Sequence, residues 1–126
     1  MGVLSTIFTW WKGPTLGTRL MTRLKGQEVG RDEFGNRYYV EKRGGKRRWV
    51  LYHGDIEASQ VPPEWSAWLH HTVDTVPATS AEKRPWELPH QANTTGTAAA
   101  YHPPGSLKGA GKRAPATGDY EAWQPE

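Results

Sequence analysis

Five histidines are the side chains of this 126-residue chain best suited to acid–base chemistry or metal ligation near neutral pH. His70 and His71 are adjacent, so on a helix they diverge by about 100° and do not converge on one ion. His53, His90 and His102 fall in loop-like sequence, without HExxH spacing and without a cysteine to complete a zinc set. All five read as surface or interface histidines. Glu64 precedes His70 by six residues, a poor match to one helical face, and no nucleophile or oxyanion donor accompanies the pair. Neither GxGxxG, nor a P-loop, nor GxSxG occurs, and Gly30 and Gly35 flank a turn instead of joining a strand to a helix. Neither catalysis nor a cofactor is expected.

Lys42, Arg43, Lys46, Arg47 and Arg48, close to Tyr38, Tyr39 and Trp49, form a basic run interleaved with aromatics. Small RNA-binding sheets carry such a pattern. A solvated hairpin tip, or arginines meeting a partner's carboxylates, accounts for it equally simply. The net charge of +3 is too modest to demand nucleic acid, and no nucleic-acid partner is expected.

The elements that would position these residues fall into three parts: 1–25, 26–74 and 75–126. The first reads as two short helices separated by Gly13-Pro14. Leu4, Ile7, Phe8 and Trp11 follow the i, i+3, i+4, i+7 spacing of one face. Leu16, Leu20, Met21 and Leu24 alternate with Arg19, Arg23 and Lys25, a basic flank suited to lipid headgroups or an acidic groove. Helices this short are marginal alone, so packing on a protein neighbour is the simpler reading. No apolar run approaches the ~20 residues that span a bilayer. Basic residues follow the first apolar stretch, unlike those of a signal peptide. Met1-Gly2-Val3-Leu4-Ser5-Thr6 formally fits the myristoylation pattern, which is short and common by chance.

The centre predicts three short antiparallel strands and a covering helix. Gln27–Asp32 and Arg37–Val40 flank a Gly-Asn turn, and Gly44-Gly45 leads into Arg47–Tyr52. Pro62-Pro63 opens a helix, with Glu64 at its positive end and Trp65, Trp68 and Leu69 on one face. Tyr38, Tyr39, Trp49, Trp65, Trp68 and Leu69 are the candidate core. The fold class is α+β: a small three-stranded antiparallel sheet with a covering helix, short N-terminal helices and a long extended C-terminal tail.

Residues 75–126 hold seven of the ten prolines and ten alanines, without helical or strand periodicity. Trp86, Tyr101, Tyr120 and Trp123 punctuate them. Ordering such a stretch costs about 1–2 kcal/mol per residue in backbone entropy, which a tail without its own core cannot offset. Mean hydropathy of −0.77 together with seven tryptophans points the same way, to a chain ordered by partners.

Three strings carry a resemblance. Val29-Gly30-Arg31-Asp32-Glu33-Phe34-Gly35-Asn36-Arg37-Tyr38-Tyr39, Arg47-Arg48-Trp49-Val50, and Val61-Pro62-Pro63-Glu64-Trp65-Ser66-Ala67-Trp68-Leu69-His70-His71 resemble the NADH dehydrogenase (ubiquinone) alpha subcomplex subunit 12 family, accessory subunits of respiratory complex I. Asn93–Thr97, Tyr101–Ser106 and Tyr120–Trp123 resemble its bacterial branch, as does the lack of a cleavable presequence. Ser66 departs from the larger polar residue expected there.

The resemblance implies a non-catalytic, cofactor-free accessory subunit, peripheral on the cytoplasmic side of the bacterial inner membrane. It would sit on the hydrophilic arm of complex I near the membrane junction and stabilise its assembly. Its partners would be the iron–sulfur subunits of the quinone module and other accessory subunits, with membrane-surface contact through the N-terminus. Leu4, Phe8, Trp11, Trp86, Tyr101, Tyr120 and Trp123 would be its anchors. An assembly factor of the same family, bound only to immature complex, and a small RNA-binding module are the alternatives.

Overall fold

The computed structural model describes residues 3–8, 13–77 and 84–126, which form two compact units, Met1–Asn93 and Thr94–Glu126. The first is α+β. Its elements are α1 (Val3–Phe8), α2 (Leu16–Lys25), β1 (Gly26–Arg31), β2 (Arg37–Glu41), β3 (Arg48–Leu51) and α3 (Pro63–Leu69), with a 3-10 turn at Ala58–Gln60. The strands form an antiparallel meander in the order β1-β2-β3. Both turns fall where the sequence places them: Gly35 and Gly44 take φ of 86° and 76°, the left-handed region a glycine enters without a Cβ clash. Arg43, beside Gly44, also adopts φ of 61°.

Strand alternation sends neighbouring aromatics to opposite faces. Tyr38 is fully buried against α3, in a cluster with Val61, Trp65 and Trp68 that Val29, Val40, Val50, Tyr52 and Leu69 complete. Its ring stacks on Trp65, with centroids 3.9 Å apart and planes 8° apart, while Trp68 meets both edge-on. Tyr39 faces the other way and stacks on its cross-strand partner Trp49 at 6.2 Å. On that side Trp49 Nε1 donates to Thr22 Oγ1 of α2 at 3.0 Å. The candidate core therefore divides between two faces of one thin sheet.

A bulge makes the α3 side possible. The β1–β2 register shifts between Glu28 and Gly30, which sets Gly30 opposite Tyr38. The Trp65 indole lies directly over Gly30; a Cβ there would stand 2.6 Å from Trp65 Cη2. Helix α3 begins with Pro63 in its first turn and ends at Leu69. His70 caps it, its Nδ1 2.8 Å from the Ser66 carbonyl, and His71 turns the chain away at φ 59°. Both histidines are thus consumed by a helix terminus and do not extend the helix.

Residues 94–126 contain no helix or strand and no buried side chain. Local turns organise them, including Thr97 N to Thr94 O at 3.0 Å and Ser106 N to Pro103 O at 2.9 Å. Arg113 and Asp119 form an ion pair, and Asp119 also accepts from Ala116 N at 2.6 Å.

Candidate interaction surface

Asp32 heads the turn between β1 and β2 and has the look of a catalytic carboxylate beside a tyrosine. Its surroundings give it a different task. Oδ1 accepts from the amides of Phe34 and Asn36, both at 2.9 Å. Oδ2 accepts from Asn36 Nδ2 at 2.8 Å and the Tyr38 hydroxyl at 2.7 Å. Asn36, fully buried, passes the network on by accepting the His53 amide at 3.0 Å. Four donors occupy the carboxylate, so it locks the turn and satisfies the buried tyrosine. Burial first, and the Asp32 hydrogen bond second, push the Tyr38 hydroxyl far above its ordinary pKa, so it stays neutral at physiological pH.

The basic run does not act as one patch. Arg47 pairs with Glu41 through two hydrogen bonds, at 2.8 and 3.1 Å. Arg48, opposite Val40 in the register, turns inward on the α3 side. Its guanidinium donates to the carbonyls of Trp68 (2.7 Å) and Val73 (3.0 Å) and to Asp74 Oδ1 (2.8 Å), while lying 4.9 Å from the Trp68 ring centroid. Only 12% of its side chain is exposed. The expectation that Arg48 belongs to a solvated or partner-facing basic tip is therefore corrected: its fork adds a charged donor to the Trp68 carbonyl, which also accepts His71 N at 3.2 Å, and supplies one to the Val73 carbonyl beyond the helix.

His90 also works within the chain. Its Nε2 lies 2.7 Å from the Ser59 carbonyl, its ring meets Phe34 edge-on at 5.8 Å, and Asn93 N donates to Ser59 Oγ at 3.0 Å. These contacts latch residues 90–93 onto the sheet domain. A groove of about 530 Å³ runs between this segment and α3, with Glu33, Glu64 and Glu87 contributing exposed carboxylates. Among the described residues, no three His, Cys, Asp or Glu side chains gather as a metal site would require. No helix among them is long and apolar enough to cross a membrane.

What remains exposed is large and apolar. Leu4 and Phe8 are 71% and 70% exposed on α1; Trp86, Tyr101, Tyr120 and Trp123 are at least 76% exposed. Trp11 lies outside the described residues. The sequence-predicted core residues come together around the sheet, whereas the predicted anchors are distributed along the chain with their side chains outward. Trp and Tyr are enriched among the residues that carry binding energy at protein interfaces.

Residues 26–125 match the family described as NADH ubiquinone oxidoreductase subunit NDUFA12. The chain belongs to this family. It is 42% identical over 88 residues to NADH dehydrogenase (ubiquinone) 1 alpha subcomplex subunit 12 of Dictyostelium discoideum, covering 65% of this chain and 63% of that one. The subunit of the same name from Bos taurus is 38% identical over 92 residues, 62% of this chain and 63% of its own. A bacterial relative, an uncharacterised protein of Rickettsia prowazekii, is 38% identical over 65 residues, 48% of this chain and 64% of its own. The match thus spans a little under two thirds of the length of these relatives. The family match over residues 26–125 includes Asp32, Asn36, Tyr38, Arg48, Trp65 and Trp68, the residues that build the sheet domain, and leaves α1 and α2 outside.

Proposed function

We propose that this chain is a non-catalytic accessory subunit of bacterial respiratory complex I, NADH:ubiquinone oxidoreductase. It binds peripherally to the hydrophilic arm near the membrane junction, on the cytoplasmic side of the inner membrane, and stabilises the assembly. The observation that carries this reading is the family match over residues 26–125. The matched relatives are named as subunits of that enzyme. The polar groups that could do chemistry, Asp32, Tyr38, Arg48 and His90, are all engaged in holding the fold.

In this reading 26–74 is the folded body, 1–25 is an N-terminal anchor, and 75–126 is a tail that is latched to the body at residues 90–93 and otherwise lies on neighbouring subunits. The iron–sulfur subunits of the quinone module and other accessory subunits are the neighbours. Leu4, Phe8, Trp11, Trp86, Tyr101, Tyr120 and Trp123 are the contact residues. A tail without a buried side chain gains its order from surfaces it touches, since its backbone entropy has no internal offset.

Cross-linking of the purified, active complex followed by mass spectrometry tests the placement. Links from Lys108 and Lys112 to quinone-module iron–sulfur subunits are expected. Links confined to the distal membrane arm, or to the NADH-oxidising tip, would overturn the location.

A further inference from the structure

Helix α2 is folded inside out. At about 100° per residue, Leu16, Leu20 and Leu24 lie within an arc of about 80°, and Thr22 lies diametrically opposite. It is Thr22 that is buried, 5% exposed and bonded to Trp49, whereas the three leucines are 50%, 59% and 66% exposed. The polar side of the helix faces the sheet and the apolar stripe faces away. Met21, 37% exposed, widens that stripe on the Leu24 side; Arg19 and Arg23 border its one edge and Lys25, about 40° past Met21, borders the other, all three exposed.

The charge around the stripe has one sign. The first acidic residue of the chain is Glu28, so residues 1–27 hold none. The turn between β2 and β3 abuts the end of α2, where Lys42 N donates to the Lys25 carbonyl at 2.8 Å and Lys42 Nζ reaches the Arg23 carbonyl at 3.4 Å. Exposed Lys42, Arg43 and Lys46 thereby extend the basic border of α2. Of the nearby acids, Glu28 is paired with Arg31 and Glu41 with Arg47. This places the cationic part of the basic run, left over after Arg47 and Arg48 are accounted for, at the C-terminal end of α2.

We propose that α2 and the adjoining β2–β3 turn form a docking face for an anionic lipid bilayer surface. The helix lies in the interfacial plane, with Leu16, Leu20 and Leu24 at the acyl boundary and the cations on both sides at headgroup phosphates. An apolar stripe bordered by cations along both edges matches a flat, uniformly negative surface. The inference stands on α2 and the turn and does not rest on the complex I reading.

Flotation of the purified full chain with vesicles tests it, comparing phosphatidylcholine alone with equal parts phosphatidylcholine and phosphatidylglycerol. Binding to the anionic vesicles only, weakened by added salt, is expected. Arg19→Gln with Arg23→Gln should lower the partition coefficient on the order of thirtyfold, about fivefold for each charge. Leu20→Ser should lower it on the order of tenfold. All three side chains are exposed, so an unchanged thermal unfolding curve will show that each variant is folded. Absence of vesicle binding by the parent chain, or binding indifferent to lipid charge and to the arginines, overturns the proposal. Loss of complex I association by Leu20→Ser without any vesicle binding assigns the stripe to a protein groove instead, and also overturns it. Complex I association retained while vesicle binding is absent refutes the bilayer face and leaves the subunit reading intact.

Discussion

Replacing Arg48 should unfasten α3 from the sheet. The guanidinium makes two charge-assisted bonds to the Trp68 and Val73 carbonyls and lies over the Trp68 ring. A hydrogen bond from a charged donor contributes about 1.5–3 kcal/mol when the acceptor is withheld from water. Here the carbonyls lie at the domain's edge and partly rehydrate, so the pair together is worth about 2–3 kcal/mol, with up to ~1 kcal/mol more from the ring contact. Asp74 adds little, because its side chain is 90% exposed and water competes for it. Arg48→Ala should therefore destabilise the first unit by about 3 kcal/mol, close to the whole stability of a single small core, roughly 3–5 kcal/mol. Arg48→Lys keeps the charge and loses the planar fork, and should recover about half of the loss. Urea unfolding followed by tryptophan fluorescence reads these changes as midpoint shifts at constant slope. Asp74→Ala should leave the midpoint where it is. If Asp74→Ala costs as much as Arg48→Ala, the ion pair and not the carbonyl clamp holds α3, and the reasoning is refuted.

Three other outcomes follow from the same contacts. Gly30→Ala should lower the unfolding midpoint by about 1–3 kcal/mol equivalent, since its Cβ would meet the Trp65 indole at 2.6 Å; a neutral result would mean that Trp65 moves freely over the sheet. Stability should be level at neutral pH and fall in alkali. Tyr38 has its pKa raised by folding from an ordinary 10.0, so its contribution is fully present below about pH 10 and lost as pH rises from there. The limiting slope is about 1.4 kcal/mol per pH unit for one such group, and Tyr38→Phe should flatten the curve measured by urea titration at each pH. Finally, Trp123→Ala should leave unfolding of the sheet domain unchanged while lowering the fraction retained in purified complex, as truncation of an anchor costs at least ~2 kcal/mol; undiminished retention removes Trp123 from the contact set.

The meander and its covering helix were legible because they are written locally. Gly35-Asn36 and Gly44-Gly45 mark the turns, and Pro62-Pro63 with the Trp65/Trp68 spacing marks the helix. The division of the aromatics was half legible: alternation separates Tyr38 from Tyr39, but which face each covers depends on the bulge at Val29 and on where α2 lies. Arg48 was misread for a physical reason. Inside a cationic run, an arginine that turns inward cannot be told from one that turns out, and its acceptors lie 20 to 26 residues away. His90 was hidden in the same way, since its partner Ser59 is 31 residues distant. The apolar stripe of α2 was visible as a periodicity; that its polar side packs inward was not, because helical spacing states which residues share a face and not which face is covered.

Native separation of mildly solubilised membranes, with mass spectrometry of the band carrying NADH dehydrogenase activity, tests the central claim most directly. This chain should co-migrate with the active enzyme at about one copy per complex, as for other subunits of a closed assembly. Recovery only from smaller, inactive assemblies would contradict the structural-subunit account and identify an assembly factor, and absence from both would remove the chain from complex I altogether.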